Sequence, residues 1–134
     1  MDNFKDIYLD LLSEAQYDND KWRRHDTYHG MEIYIRKDSH LQDRLNERYE
    51  NISKNKVIVI IKKFLKEELK KSENIFNTTN MFDIPFTFKG ILSNVYVAGR
   101  FKKIGNIWKC YVVTVLPAEN PYISRDDMYA EVLI

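Results

Sequence analysis

From residue 84 to residue 134 the chain is built of short segments in which apolar and polar residues alternate, and this constrains the fold most. "PFTFKGI", "NVYVAGRF", "NIWKCYVVTVL" and "MYAEVLI" all read as strands. Gly105-Asn106 lies between two of them and fits a tight hairpin turn. Pro117 ends the longest segment and Pro121 marks the return toward the last one. A chain that ends in four such segments must bury one face of a sheet against something else.

The covering layer is expected from the first half. Phe4, Ile7, Tyr8, Leu11, Leu12 and Ala15 recur at helical spacing, which predicts a helix over 2–17 capped by Asp2 or Asn3. "MEIYIR" (31–36) alternates and predicts a short strand. Ser39, followed three residues on by Gln42, predicts a helix from His40 to about Tyr49. Ser53 can cap a further helix from Lys54 to about Lys71, with Val57, Ile58, Ile61, Phe64, Leu65 and Leu69 as its buried stripe. Its β-branched start, "VIVII", is compatible with a strand, but the helix formers of "KKFLKEELKK" decide for helix. Residues 18–30 carry no apolar period and read as a polar loop, as do 72–83. The expectation is one α+β domain over 1–134: a helical half (1–71), a loop (72–83) and an antiparallel sheet (84–134), with the helices packed on one face of that sheet.

Composition narrows the function classes. The 21 basic and 20 acidic side chains leave a net charge of +1, so any nucleic-acid surface must come from local clustering. Four glycines and three prolines leave no Gly-rich phosphate loop. The one cysteine, Cys110, lies within an apolar run and reads as a buried thiol. No stretch approaches the length of a membrane span, and the acidic, amphipathic "MDNFKDIYLD" is no signal peptide. A cytoplasmic protein without cofactor is expected.

The densest chemistry lies in "DSHLQDRLNER" (38–48). On a helix His40, Arg44 and Arg48 form one row, Asp43 and Glu47 the adjacent row, and Leu41 and Leu45 point to the core. This is either a solvated face of ion pairs or a phosphate-handling site. Guanidinium forks match phosphate oxygens, and an imidazole can move a proton. The two histidines of "RRHDTYHG", His25 and His29, lack the further ligands a metal would need, so no metal is expected. His29 precedes the strand leading to His40 and is a candidate for proton transfer; Trp22 and Tyr28 could stack on unpaired bases or pack on the first helix. "AGRFKKIGNIWK" gathers Arg100, Lys102, Lys103 and Lys109 around a hairpin, either to blunt it against edge pairing or to track an RNA backbone. Lys62, Lys63, Lys66, Lys70 and Lys71 read as the solvated face of their helix.

"SHLQDRLNER" resembles the S-x-H-L-L-D-R-x-x-x-R segment of the RegB endoribonucleases of tailed phages, whose fold is that of the RelE/YoeB toxin ribonucleases. The close match covers about ten residues; the order of elements matches over most of the chain. The resemblance implies metal-independent cleavage of messenger RNA by attack of the 2′-hydroxyl. His40 would serve as acid, base or phosphate contact and Arg44 as charge stabiliser; beside the resemblance, the basic clusters make Arg48, Arg100, Lys102 and Lys109 the candidate RNA contacts. The family's second histidine, in the next helix, has no counterpart among Ile60, Ile61, Lys62 and Lys63, so a second acid or base must come from elsewhere or activity has been lost. Glu14 stands in the first helix, where the family uses a glutamate, but no motif anchors it. The expected partner is RNA, with a ribosome or a host protein besides. The competing reading is a catalytically inert phage-type protein of the same fold that binds a host protein, which nine tyrosines and seven phenylalanines would suit. A virion- or DNA-associated accessory protein is a third.

Overall fold

The structure, a computed structural model, describes residues 21–36, 41–49 and 52–134. The helix expected over 2–17, the Ser39 cap and His40 lie outside the described residues. The described chain runs β1 (Trp22–Tyr28), β2 (Met31–Arg36), α1 (Leu41–Arg48), α2 (Lys54–Leu69), α3 (Ile75–Thr78), β3 (Asp83–Gly90), β4 (Val95–Ile104), β5 (Ile107–Leu116) and β6 (Met128–Val132).

The expected architecture, helices on an antiparallel sheet as in the RelE fold, is overturned. The six strands form one mixed sheet in the order β1-β2-β5-β4-β3-β6. β2 pairs parallel with β5, and β3 pairs parallel with β6, while the β1–β2, β4–β5 and β3–β4 pairs are antiparallel. Strands dominate, and the helices among the described residues are three. Two physical causes account for the difference. β6 lies beside β3 rather than beside β5, so residues 117–127 carry the chain past β4 and β3 to the far edge. That crossover returns the chain to the end of the sheet at which β5 began, so β6 runs parallel to β3. β2 likewise meets β5 only after the helices and two strands have intervened, the long crossover that a parallel pair requires.

β1 also replaces part of the polar loop expected over 18–30. It is an edge strand whose seven residues, WRRHDTY, are mostly exposed, so no apolar alternation marks it. A bulge between Arg24 and Asp26 breaks its period further. Tyr28 pairs with Met31 across a two-residue turn in which both His29 (φ 47°) and Gly30 (φ 85°) are left-handed. That is a type I′ turn, the connection that matches strand twist. Between β4 and β5, Ile104 pairs with Ile107 across Gly105-Asn106, with Gly105 at φ 65°.

The core lies between α1, α2 and one sheet face. Leu41 and Leu45 of α1 are buried, as are Val57, Ile58, Ile60, Ile61, Phe64 and Leu65 of α2. Against them stand Ile33, Ile35, Phe86, Phe88, Val97, Phe101, Cys110 and Val112. Phe101 is the hub of an aromatic cluster, with ring centroids 4.7 Å from Phe86 and 4.9 Å from Phe76. Segment 72–83 is anchored to this cluster rather than being loop throughout. Asn74 caps α3 by accepting from the Phe76 and Asn77 amides at 3.0 and 3.1 Å. The Glu68 carboxylate accepts from the Ile75 amide at 2.9 Å, and the Trp108 indole donates to the Phe76 carbonyl at 3.0 Å.

Candidate nucleic-acid interface

The other sheet face carries the polar chemistry. Residues directly opposite in a ladder share a face, so the register alone assembles two rows. The first runs Glu32, Lys109, Lys102, Asp83 across β2, β5, β4 and β3. The second runs Arg24, Tyr34, Tyr111, Arg100 across β1, β2, β5 and β4. The intervening residues, Ile33, Cys110 and Phe101, point into the core.

Tyr34 and Tyr111 are stacked with centroids 5.3 Å apart, and Trp22 meets Tyr111 edge-on at 5.0 Å. Lys109 Nζ stands 5.4 Å from the centre of the Tyr34 ring and Lys102 Nζ 5.9 Å from that of Tyr111, the range of a cation–π contact. Both tyrosines are buried, 8% and 3% exposed. Their rings therefore support the lysines and are closed to a base. Burial raises the Tyr34 phenol above its usual range, with Glu32 adding to the rise and Lys109 opposing it. Tyr34 thus stays protonated near neutral pH.

Those cations are partly matched. Arg24 donates to Glu32 at 2.9 Å, Lys109 lies 3.8 Å from the same carboxylate, and Arg100 pairs with Asp83 at 2.6 Å. Burial pushes the Glu32 carboxyl up, but Arg24, the Tyr34 hydroxyl and Lys109 together outweigh it and hold it below the usual range. Among the described residues this face sets Arg24, Arg100, Lys102 and Lys109 beside the Glu32 and Asp83 carboxylates. Such a face can hold phosphate oxygens.

The structure thus brings Arg100, Lys102 and Lys109 together and places the other candidate residues elsewhere. Arg48 donates from Nη1 to the Val115 carbonyl, and the neighbouring Tyr49 hydroxyl donates to Leu116 O and accepts from the Tyr96 amide. Its guanidinium thereby fastens α1 to the end of β5. Arg44 is exposed on α1, while Leu41 and Leu45 of the same helix are buried. His29 sits on the β1–β2 turn, level with the start of β5, whereas Val115 lies near its end. At a rise of about 3.3 Å per residue the two stand roughly 26 Å apart along the strand, so His29 and Arg48 serve opposite ends of the sheet. His25 Nε2 lies 3.4 Å from Asn55 Oδ1, and Asp26 beside it pairs with Lys62. Lys62 is thus engaged rather than simply solvated.

Sequence reasoning missed the roles of Arg24, Glu32, Tyr34 and Tyr111. The alternation of "MEIYIR" and "WKCYVV" puts Glu32 with Tyr34 and Lys109 with Tyr111, but only the β2–β5 pairing brings the pairs together. Among the described residues no three His, Cys, Asp or Glu side chains gather as a metal would need, and no helix is long and apolar enough to cross a membrane. Comparisons with family models, curated proteins and solved structures find no match to this chain.

Proposed function

We propose that this chain is a small metal-independent endoribonuclease that holds messenger RNA against the cationic sheet face. The observation that carries RNA binding is the Lys102–Lys109 pair. Like charges directly opposite each other destabilise a ladder, and this pair is kept over two buried aromatic rings. The Glu32 carboxylate already meets Lys109, and a phosphate would bring its oxygens to both ammonium groups. The cleavage step rests on the resemblance of the His40–Arg44 segment; Arg44 lies on α1, on the helix side of the sheet, so a strand held on the cationic face must pass round the sheet to reach it. The 2′-oxygen attacks phosphorus, a base accepts its proton, and the 5′-oxygen leaves with a proton from an acid, giving a cyclic phosphate and a free 5′-hydroxyl. His40 would take one of the proton-transfer roles, and the Arg44 guanidinium would face the charge that grows on the phosphorane. A phage or mobile-element origin and action in the host cytoplasm belong to the same proposal.

A second reading has its own observation. Met81, Phe82 and Ile107 are each more than half exposed, and the Lys103 amide donates to Phe82 O at 2.8 Å, which sets Met81 and Phe82 beside the β4–β5 hairpin. An exposed apolar group of this kind suits a host-protein interface. One experiment separates the two. Mixed messenger RNA is incubated with the protein in EDTA, with and without ribosomes, and 5′ ends are mapped for the wild type and His40→Ala. Discrete cuts that vanish in the variant support the nuclease. Absence of cuts under both conditions favours the interaction protein.

A further inference from the structure

On the helix side of the edge strand lies an open cleft of about 560 Å³, lined by Tyr28, His29, Lys66, Leu69 and Lys70. Its size falls within the range of small-ligand sites, and its charge is one-sided. Lys66 and Lys70 are one helical turn apart and share a face of α2. Lys62, one turn earlier in the same row, is already committed to Asp26. Among the described residues no carboxylate lines the cleft; Glu67, which is not part of its lining, pairs with Lys70 at 3.6 Å. A second cleft on α2, beside β6, is different: there Lys63 and Lys71 face Glu67, Glu68 and Glu131, and the carboxylates outnumber the ammonium groups.

The aromatic wall of the first cleft is also specific. Tyr28 and His29 meet edge to face, with centroids 4.4 Å apart and planes at 77°. His29 achieves this from a left-handed backbone at φ 47°. Histidine, like Asn and Asp, reaches the left-handed region more readily than most residues, and here the turn brings its ring onto Tyr28. The chain thus places an imidazole, a phenol and two ammonium groups around Leu69, with Tyr28 and Leu69 packed against the core and His29, Lys66 and Lys70 exposed.

We propose that this cleft is a nucleotide-binding site, in which Lys66 and Lys70 hold a terminal phosphate monoester and the Tyr28–His29 pair packs against the base. The phosphate has a matched environment: point charges on flexible stems, with an imidazole able to donate. The base has two ring surfaces at a right angle, one offering a face and the other an edge. The same chemistry is presented by a free nucleoside monophosphate and by the 5′-phosphorylated end of a strand. The site is distinct from the Lys102–Lys109 face, which lies on the other side of the sheet.

The test is an amide-shift titration of the ¹⁵N-labelled protein with adenosine 5′-monophosphate. Parallel arms use adenosine, inorganic phosphate, and a tetranucleotide with and without a 5′-phosphate. The expected result is saturable shifts at Tyr28, His29, Gly30, Lys66, Leu69 and Lys70. Adenosine should give none, and the double variant Lys66→Gln/Lys70→Gln should bind about ten-fold more weakly or worse, the loss expected for two charge-assisted contacts. Both lysines are solvent-facing, so the variant keeps its fold. Lys102→Gln/Lys109→Gln should leave these shifts intact, which separates this site from the proposed RNA face. A phosphorylated tetranucleotide that outbinds the monophosphate identifies a strand end as the ligand; the reverse order identifies a free nucleotide. Absence of saturable shifts at millimolar monophosphate overturns the proposal. So does equal binding of adenosine, or an unchanged affinity in the Lys66→Gln/Lys70→Gln variant.

Discussion

Gly99 sits in the middle of β4, one residue from Arg100, at the point where the β4–β5 register shifts. A methyl group there would lie 2.2 Å from the Tyr111 carbonyl oxygen and 2.7 Å from the Phe86 ring. Ordinary contact begins near 3.4 Å, so β4 would have to retreat from β5 by about 1 Å, or Phe86 would have to leave its packed rotamer. Phe86 is wedged among Phe88 and Phe101 at 4.4 and 4.7 Å and has no room to turn. Overpacking of this kind costs about 1–3 kcal/mol, and a weakened ladder hydrogen bond adds about 1 kcal/mol. Gly99→Ala should therefore lose about 2–4 kcal/mol. At about 3 °C per kcal/mol for a chain of this size, the melting temperature falls by roughly 6–12 °C. Thermal melts followed by circular dichroism measure it, with Gly105→Ala as reference. Gly105 has nothing within 4 Å of its added methyl, so only its φ of 65° is penalised and the loss should be smaller. A Gly99→Ala melt within about 2 °C of the wild type would show that β4 and β5 do not pack this closely and would refute the reasoning.

Two further outcomes follow from the same structure. The folded-state carboxyl of Glu32 lies below its ordinary value of 4.5, so its contribution to stability is present above that value and is lost as pH falls through the folded one; urea unfolding of the wild type and Glu32→Gln between about pH 3 and 6 should show a shallower acid limb in the variant. Burial raises the Cys110 thiol far above its usual range and leaves it 0% exposed. The native protein should then resist thiol labelling at neutral pH and react fully only in denaturant.

What the sequence revealed was set by periodicity. The α2 stripe of Val57, Ile58, Ile61, Phe64 and Leu65 is buried as its spacing predicts, and Gly105-Asn106 forms the predicted turn. Strands β3 to β6 fall where alternation put them. Alternation assigns a strand's faces but not its neighbours, which is why the parallel β2–β5 and β3–β6 pairings were not legible. β1 escaped because an exposed edge strand has no apolar face to announce it; its one local sign is the His29-Gly30 turn. The same division holds at the candidate interface. Arg100, Lys102 and Lys109 cluster in sequence around one hairpin and so were visible. Glu32 and Tyr34 join them only through a pairing more than seventy residues distant. Arg48 reads as a free guanidinium until the fold brings the Val115 carbonyl to it, across a separation of 67 residues.

The central claim is that the Lys102–Lys109 face engages RNA phosphates. Fluorescence anisotropy of a labelled single-stranded RNA, titrated across a range of salt concentrations, tests it most directly. The logarithm of affinity should fall linearly with the logarithm of salt, and Lys102→Gln/Lys109→Gln should reduce that slope by about 1.4, roughly 0.7 for each single-strand phosphate contact removed. An affinity and slope unchanged in the double variant would contradict the account, because the strand would then be held somewhere other than this face.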